Sequence, residues 1–87
     1  MERNPLIDFN NGLAITYSDL KRKKNGETYV TIYFEQPNSK KNDFKSAQID
    51  YPGGSFVNIR GYRDSEIKGL WEHVAKAGRL AYSFAKE

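Results

Sequence analysis

The chain has 87 residues, enough for one domain with a modest core, and its five Phe, six Tyr and one Trp favour a folded protein. It has no cysteine, which excludes a disulfide framework and a thiolate metal site. The net charge of +3 is mildly basic, and no apolar run reaches the length of a signal sequence or a membrane span. We therefore expect a cytoplasmic protein with no membrane partner.

The first part of the chain predicts a loose end followed by two strands. Residues 1–5 are polar, and we expect them to be loose. Residues 6–9 carry three apolar side chains and indicate a short strand. The sequence Asn-Asn-Gly at 10–12 is a turn signal, because Asn and Gly tolerate positive φ. Apolar and small polar residues then alternate over 13–18, which is the periodicity of a second strand.

A hairpin is predicted around Asn25-Gly26, a dipeptide typical of a two-residue type I′ turn. Closing that turn pairs Arg22 with Tyr29 and Tyr17 with Phe34. Strand alternation then places Val30 and Ile32 on the face shared with Tyr17. The opposite face receives Tyr29, Thr31, Tyr33, Leu20 and Arg22.

A second hairpin follows the polar loop at 36–42. Residues 44–51 and 55–60 read as strands, separated by the turn Pro-Gly-Gly at 52–54. A three-residue loop would place Ile49 opposite Val57 and Ala47 opposite Ile59, which gives a continuous apolar face. The other face would then carry Phe44, Phe56, Arg60 and Tyr62.

A long amphipathic helix is predicted over 64–86 from apolar residues at three- and four-residue spacing. Asp64 is the predicted N-cap, because its carboxylate can accept hydrogen bonds from the first turn. At ~1.5 Å per residue the helix spans roughly 35 Å, whereas a six-residue strand covers only ~20 Å. We therefore expect its apolar end (Leu80, Tyr82 and Phe84) to overhang the sheet. Its partner would be the N-terminal segment or a second copy in a homodimer formed through helix 64–86, and the alternative is a frayed, partly exposed end.

These elements predict a single α+β domain over 1–87. Strands within 6–61 form a four- or five-stranded antiparallel meander sheet, and the long C-terminal helix covers one face. The predicted core consists of Ile15, Tyr17, Val30, Ile32, Phe34, Ala47, Ile49, Val57, Ile59, Ile67, Leu70, Trp71 and Val74.

Catalytic signals are weak. His73 is the one histidine, and it lies off the main apolar stripe of the helix. Ser55 and Ser65 lack the Gly-x-Ser-x-Gly setting of a nucleophile elbow. The carboxylates are scattered, without the ligand spacing of a zinc or EF-hand site. We therefore expect a protein that is not an enzyme and has no cofactor or metal.

The strongest functional signal is a basic, aromatic sheet face. Aromatic rings there could stack on unpaired bases while Lys and Arg neutralise phosphates. The sequence therefore predicts a binding module for single-stranded DNA or RNA. The alternative is protein interaction or self-association through the same aromatic face or the apolar helix end. Tyrosines that merely stabilise an exposed sheet remain a third reading. The predicted nucleic-acid-binding residues are Arg22, Lys23, Lys24, Tyr29, Tyr33, Lys41, Phe56 and Arg60.

In element order, an antiparallel sheet followed by one long C-terminal helix resembles the positive-cofactor-type and PUR-type single-stranded DNA-binding modules. That resemblance covers topology across most of the chain and matches no individual functional residue. It implies a sheet that faces nucleic acid and a homodimer.

Overall fold

The computed structural model describes residues 3–38 and 43–87. Its elements are β1 (Arg3–Asp8), β2 (Ala14–Ser18), β3 (Lys21–Arg22), β4 (Thr28–Asn38), β5 (Asp43–Tyr51), β6 (Val57–Arg60) and α1 (Asp64–Lys86). The pairings between the strands are all antiparallel, and the sheet order is β1-β2-β4-β5-β6, with β3 also paired to β4. This confirms an α+β fold in which a C-terminal helix packs on an antiparallel sheet.

The N-terminal segment is more ordered than the sequence predicts. Arg3, Asn4 and Pro5 belong to β1, where Arg3 lies opposite Ser18 and Asn4 opposite Tyr17. Polar residues and a proline are compatible with this position, because an edge strand pairs on one side only. The expectation of a loose segment is therefore wrong for residues 3–5.

The first hairpin closes through a different turn from the predicted one. Lys23 N–H donates to Glu27 O at 2.7 Å, and Gly26 N–H donates to Lys23 O at 2.9 Å. The loop thus has three residues and not two, and Gly26 takes the positive φ of +92°. Lys21 consequently lies opposite Tyr29, and Arg22 lies opposite Thr28. The predicted Arg22–Tyr29 pair is wrong by one position, which moves Arg22 to the other face of the sheet.

The register between β2 and β4 differs by two positions from the predicted one. Tyr17 lies opposite Ile32, not Phe34, and Thr16 lies opposite Tyr33. A shift of two residues preserves the face of every side chain, because side chains alternate with a period of two. Tyr17 therefore still shares a face with Val30 and Ile32, as predicted.

One hydrophobic core lies between this face of the sheet and α1. Phe34 from the sheet, Leu13 just before β2 and Ala81 from the helix are among its buried members. Tyr17 and Ile67 are only partly buried at its border. The complete set of buried apolar residues is Leu13, Ile15, Val30, Ile32, Phe34, Ala47, Ile49, Leu70, Val74, Ala77 and Ala81.

Three predicted core residues are half exposed: Val57 at 49%, Ile59 at 46% and Trp71 at 46%. Val57 lies opposite Gln48, so it does not face the helix, and the predicted Ile49–Val57 pair is wrong, whereas Arg60 lies opposite Ser46, in the predicted register. The cause is an irregularity in the β5–β6 ladder, where Asn58 has a φ of +53°. An extra residue in one strand reverses the faces that follow it.

The helix begins as predicted, but its N-cap is Arg63, and Asp64 is the first helical residue. Glu66 Oε1 accepts a hydrogen bond from Arg63 N–H at 3.0 Å, the return half of a capping box. Asp64 and Glu66 are the two acidic residues of the first turn, where negative charge suits the helix dipole. Arg63 and Glu66 therefore cap the helix, and the prediction that Asp64 is the N-cap is wrong.

The C-terminal turns of α1 do not overhang the sheet as expected. The Tyr82 ring lies 6.3 Å from that of Tyr51, its hydroxyl contacts the Thr28 hydroxyl, and the Phe84 ring lies 6.5 Å from that of Tyr17. The reason is the length of β4, which has 11 residues and extends roughly 36 Å at ~3.3 Å per residue. The long strand matches the helix, and Leu80 and Phe84 remain partly exposed.

Candidate functional site

The surface of the sheet turned away from α1, here called the outer face, has no second layer among residues 3–38 and 43–87. Strand alternation and the observed pairings place Tyr33 on it together with Thr16 and Gln48. The core residues Ile32 and Phe34 point the other way. Its central members are Thr16, Ser18, Tyr29, Thr31, Tyr33, Glu35, Ser46, Gln48 and Asp50. Ser18 and Thr31 are buried within this face, so it is not open over its whole length.

One end of the outer face carries a basic hairpin around Tyr29. The ammonium groups of Lys21 and Lys23 each lie 5.7 Å from the centroid of the Tyr29 ring, within the range of a cation–π interaction. Lys24 is exposed in the adjoining turn. We call Lys21, Lys23, Lys24 and Tyr29 the hairpin cluster. Arg22 lies outside it, because its partner Thr28 faces α1 and contacts Tyr82.

A hydrogen-bond network ties the hairpin cluster to the sheet. Lys21 Nζ donates to Thr31 Oγ1 at 2.9 Å, and Thr31 Oγ1 donates to Asp50 Oδ1 at 2.7 Å. Thr31 N–H donates to Ser18 Oγ at 2.9 Å. These polar side chains are therefore satisfied within the chain, and Lys21 is positioned by the network.

Arg3 reaches across the middle of the outer face. Its guanidinium lies 4.1 Å from the centroid of the Tyr33 ring and donates to Glu35 Oε1 at 2.7 Å. The Arg3 side chain is nevertheless 50% exposed, so the ion pair contributes at most ~1 kcal/mol to stability. Its structural effect is to hold a planar cation over Tyr33.

A groove of about 390 Å³ opens beside Arg3 and Tyr33, between β4, β5 and β6. Its polar lining includes Ser46, Gln48, Asn58 and Arg60. None of these four side chains makes a hydrogen bond or ion pair with any residue in the described ranges. The groove therefore offers amide, hydroxyl and guanidinium groups that are free to bind a ligand.

The structure places the predicted site residues of the outer face in two separate groups. Tyr29, Lys23 and Lys24 lie at the hairpin end, whereas Tyr33 and Arg60 lie toward the groove. The two ends are roughly 20 Å apart, since Glu35 lies six positions along β4 from Tyr29 at ~3.3 Å per position, and Glu35 pairs with Ser46 beside Arg60. Lys41 lies outside the described residues.

Phe56 is not on the outer face, and that prediction is wrong. Its ring lies 5.6 Å from that of Phe34 and 5.1 Å from that of Trp71, so it packs between the sheet and α1. The register error at β6 caused the mistake. Phe56 precedes the strand and contributes to the border of the core.

Sequence reasoning missed Arg3, Gln48 and Asn58. Arg3 was assigned to a loose terminus, and no local motif distinguishes the two amides from surface residues. Only the alternation of 44–51 carried a signal, because it placed Gln48 on the face opposite Ala47 and Ile49. The groove itself depends on strands that are distant in sequence.

The titratable cluster at the start of α1 lies on the other side of the sheet. Lys45 Nζ donates to Glu66 Oε2 at 2.6 Å, and this hydrogen bond lowers the pKa of Glu66. Burial, with smaller contributions from Glu66 and Glu35, raises the pKa of Tyr62 to about 12. These contacts anchor the helix to β5. They place no group on the outer face.

In the described part of the chain, no group of three or more His, Asp or Glu side chains could hold a metal ion, and His73 lies beside the Phe9 ring at 5.0 Å. Among the same residues, no helix has both the length and the apolar character needed to cross a membrane.

Comparisons with protein-family models, with curated proteins and with solved structures found no match to this chain. They lend no support to the resemblance in element order to known single-stranded DNA-binding modules. Fold alone does not specify function, so the function of this chain has to be inferred from the geometry and charge of its outer face.

Proposed function

We propose that this protein is a non-enzymatic module that binds a single strand of DNA or RNA across the outer face of its sheet. The observation that carries the proposal is the association of cations with tyrosine rings on a sheet surface that α1 leaves uncovered. Lys21 and Lys23 lie over Tyr29, and Arg3 lies over Tyr33. Single-strand binders combine these two kinds of side chain on one surface.

The cations available for phosphates are those without an acidic partner. In residues 3–38 and 43–87, Lys23, Lys24 and Arg60 form no ion pair. They occur at both ends of the outer face, so a strand lying along β4 would meet positive charge at each end. Three neutralised phosphates predict a slope of log K against log salt of about −2, or a roughly 20-fold loss of affinity between ~50 and ~200 mM salt.

The tyrosines favour a single strand over a duplex. Base stacking on an aromatic ring contributes ~1–3 kcal/mol per base, and it requires bases that are not already paired. Tyr29 and Tyr33 are half-buried, so each ring has a fixed position and an accessible part. A sheet surface with two such rings therefore suits unpaired bases better than the paired bases of a duplex.

The test is fluorescence anisotropy with a labelled oligothymidine, at low and moderate salt. Lys24→Ala should weaken binding and reduce the salt slope by about 0.7. Tyr33→Leu should weaken binding at both salt concentrations, whereas Tyr33→Phe should retain most of it because the ring remains. The matched control is Lys68→Ala, since Lys68 is exposed on α1 away from the outer face.

Two results would contradict the proposal. The first is no binding to any oligonucleotide at low salt. The second is equal weakening by Lys68→Ala and Lys24→Ala, because binding would then depend on net charge and not on the outer face.

Self-association is a second candidate, favoured by the exposed apolar edge of the sheet. Val57 and Ile59 of the edge strand β6 are each about half exposed. An apolar edge strand is a template for pairing with another chain. Helix α1 is the weaker candidate interface, because Tyr82 and Phe84 have partners within the chain. Sedimentation equilibrium of the wild type and of Ile59→Lys would detect a dimer through β6.

A further inference from the structure

We infer that the groove between β4, β5 and β6 recognises the identity of one unpaired base, with adenine preferred. This inference rests on the proposed function and goes beyond it, because phosphate contacts and stacking alone do not distinguish sequences. The groove would add base recognition to a strand otherwise held without regard to sequence.

The groove is large enough to hold one base. Its volume of about 390 Å³ lies at the lower end of the ~300–1,000 Å³ typical of small-molecule sites. Tyr33 and Gln48 are direct cross-strand neighbours on the outer face, so their Cβ atoms are ~5 Å apart. A base that stacks on the Arg3–Tyr33 pair therefore has its edge within reach of the Gln48 amide.

The free polar groups set this groove apart from the hairpin end of the outer face. Toward the hairpin, Ser18, Thr31 and Asp50 are hydrogen-bonded within the chain. In the groove, the amides of Gln48 and Asn58 have no partner among residues 3–38 and 43–87. Each amide has two donor hydrogens beside an acceptor oxygen, the pattern that forms paired hydrogen bonds with adenine N6 and N7.

Asn58 occupies a special backbone position beside the groove. Its φ of +53° is in the left-handed region, which Asn tolerates better than most residues. The accompanying irregularity of the ladder brings Arg60 opposite Ser46, on the outer face. Backbone outliers of this kind concentrate at functional sites. The bulge thus adds an amide and a guanidinium to the same groove.

Base recognition can be tested with oligothymidines of about eight nucleotides that contain one central adenine, cytosine or guanine. A single substitution avoids the self-stacking of an adenine homopolymer. The wild type should bind the adenine-containing strand roughly five- to tenfold more tightly than the all-thymidine strand. Gln48→Met, which keeps the length of the side chain, should reduce that ratio to about one while leaving affinity for the all-thymidine strand within twofold.

Asn58→Gly is the second variant, because glycine accepts the same positive φ and lacks the amide. It should also reduce the ratio, and far-ultraviolet circular dichroism will verify the fold. Lys24→Ala should weaken all four strands equally and preserve the ratio. Binding of all strands with equal affinity, or a ratio unaffected by both amide variants, would overturn the inference alone. Absence of binding to every strand at low salt would overturn the proposed function and the inference with it.

Discussion

Replacing Gly78 with alanine tests the packing of the sheet against the C-terminal half of α1. Gly78 is buried beneath the ring of Tyr51. A Cβ added there would lie 2.6 Å from Tyr51 Cγ and 2.7 Å from Cε2, and closer still to Cδ2. The ring must therefore move, and moving it disturbs its edge-on contact with Tyr82. Gly69 provides the matched control, because a Cβ there meets no atom within 4 Å.

Gly69→Ala and Gly78→Ala should change the free energy of unfolding in opposite directions. Alanine in place of glycine in a helix interior stabilises it by about 1 kcal/mol, and Gly69→Ala should show that gain in full. At Gly78 the same gain is opposed by overpacking, which costs ~1–3 kcal/mol, and by loss of the aromatic contact, worth ~0.5–1.5 kcal/mol. We therefore expect Gly78→Ala to be about 1–2 kcal/mol less stable than the wild type.

Urea unfolding followed by far-ultraviolet circular dichroism measures both variants, and Trp71 fluorescence gives a second probe. The free energies of unfolding of the two variants should differ by roughly 2–3 kcal/mol. If Gly78→Ala were stabilised as much as Gly69→Ala, Tyr51 could not lie over the helix as described, and the reasoning would be refuted.

Three further predictions concern stability. Phe34→Ala should lower the free energy of unfolding by about 3–5 kcal/mol, because Phe34 is fully buried, and a loss below ~1 kcal/mol by urea titration would contradict this packing. Tyr62 keeps its proton longer when folded, so stability should fall as pH rises from 10 toward 12, and Tyr62→Phe should abolish that part of the loss. Because the pKa of Glu66 is lowered in the folded state, its carboxylate stabilises the fold above the ordinary pKa of 4.5. This stabilisation is lost as the pH falls below that value. Thermal melts of Glu66→Gln should therefore depend less on pH in that acid range, and an unchanged dependence would exclude the Lys45–Glu66 pair as its cause.

Local patterns in the sequence determined the helix and the faces of the central strands. The apolar spacing over 64–86 predicts α1 at its observed bounds, because helix periodicity is a property of one continuous segment. Alternation in β4 assigned Tyr29 and Tyr33 to the outer face correctly, even though the hairpin register was two positions off in β2. A register error of two residues leaves every side chain on the same face, so the assignment of faces is still correct.

The tertiary structure decided the registers and therefore the composition of the site. Gly26 alone does not determine whether a loop has two or three residues, and the bulge at Asn58 follows no local rule, yet these two features place Arg22 on the helix side and Val57 on the outer face. Phe56 packs inward for the same reason. The groove depends on pairings between distant strands, which bring Arg3, Tyr33 and Gln48 together. The alternation of side chains within a strand depends only on that segment of the sequence. The register in which two strands pair is set by the arrangement that buries the most apolar surface against α1.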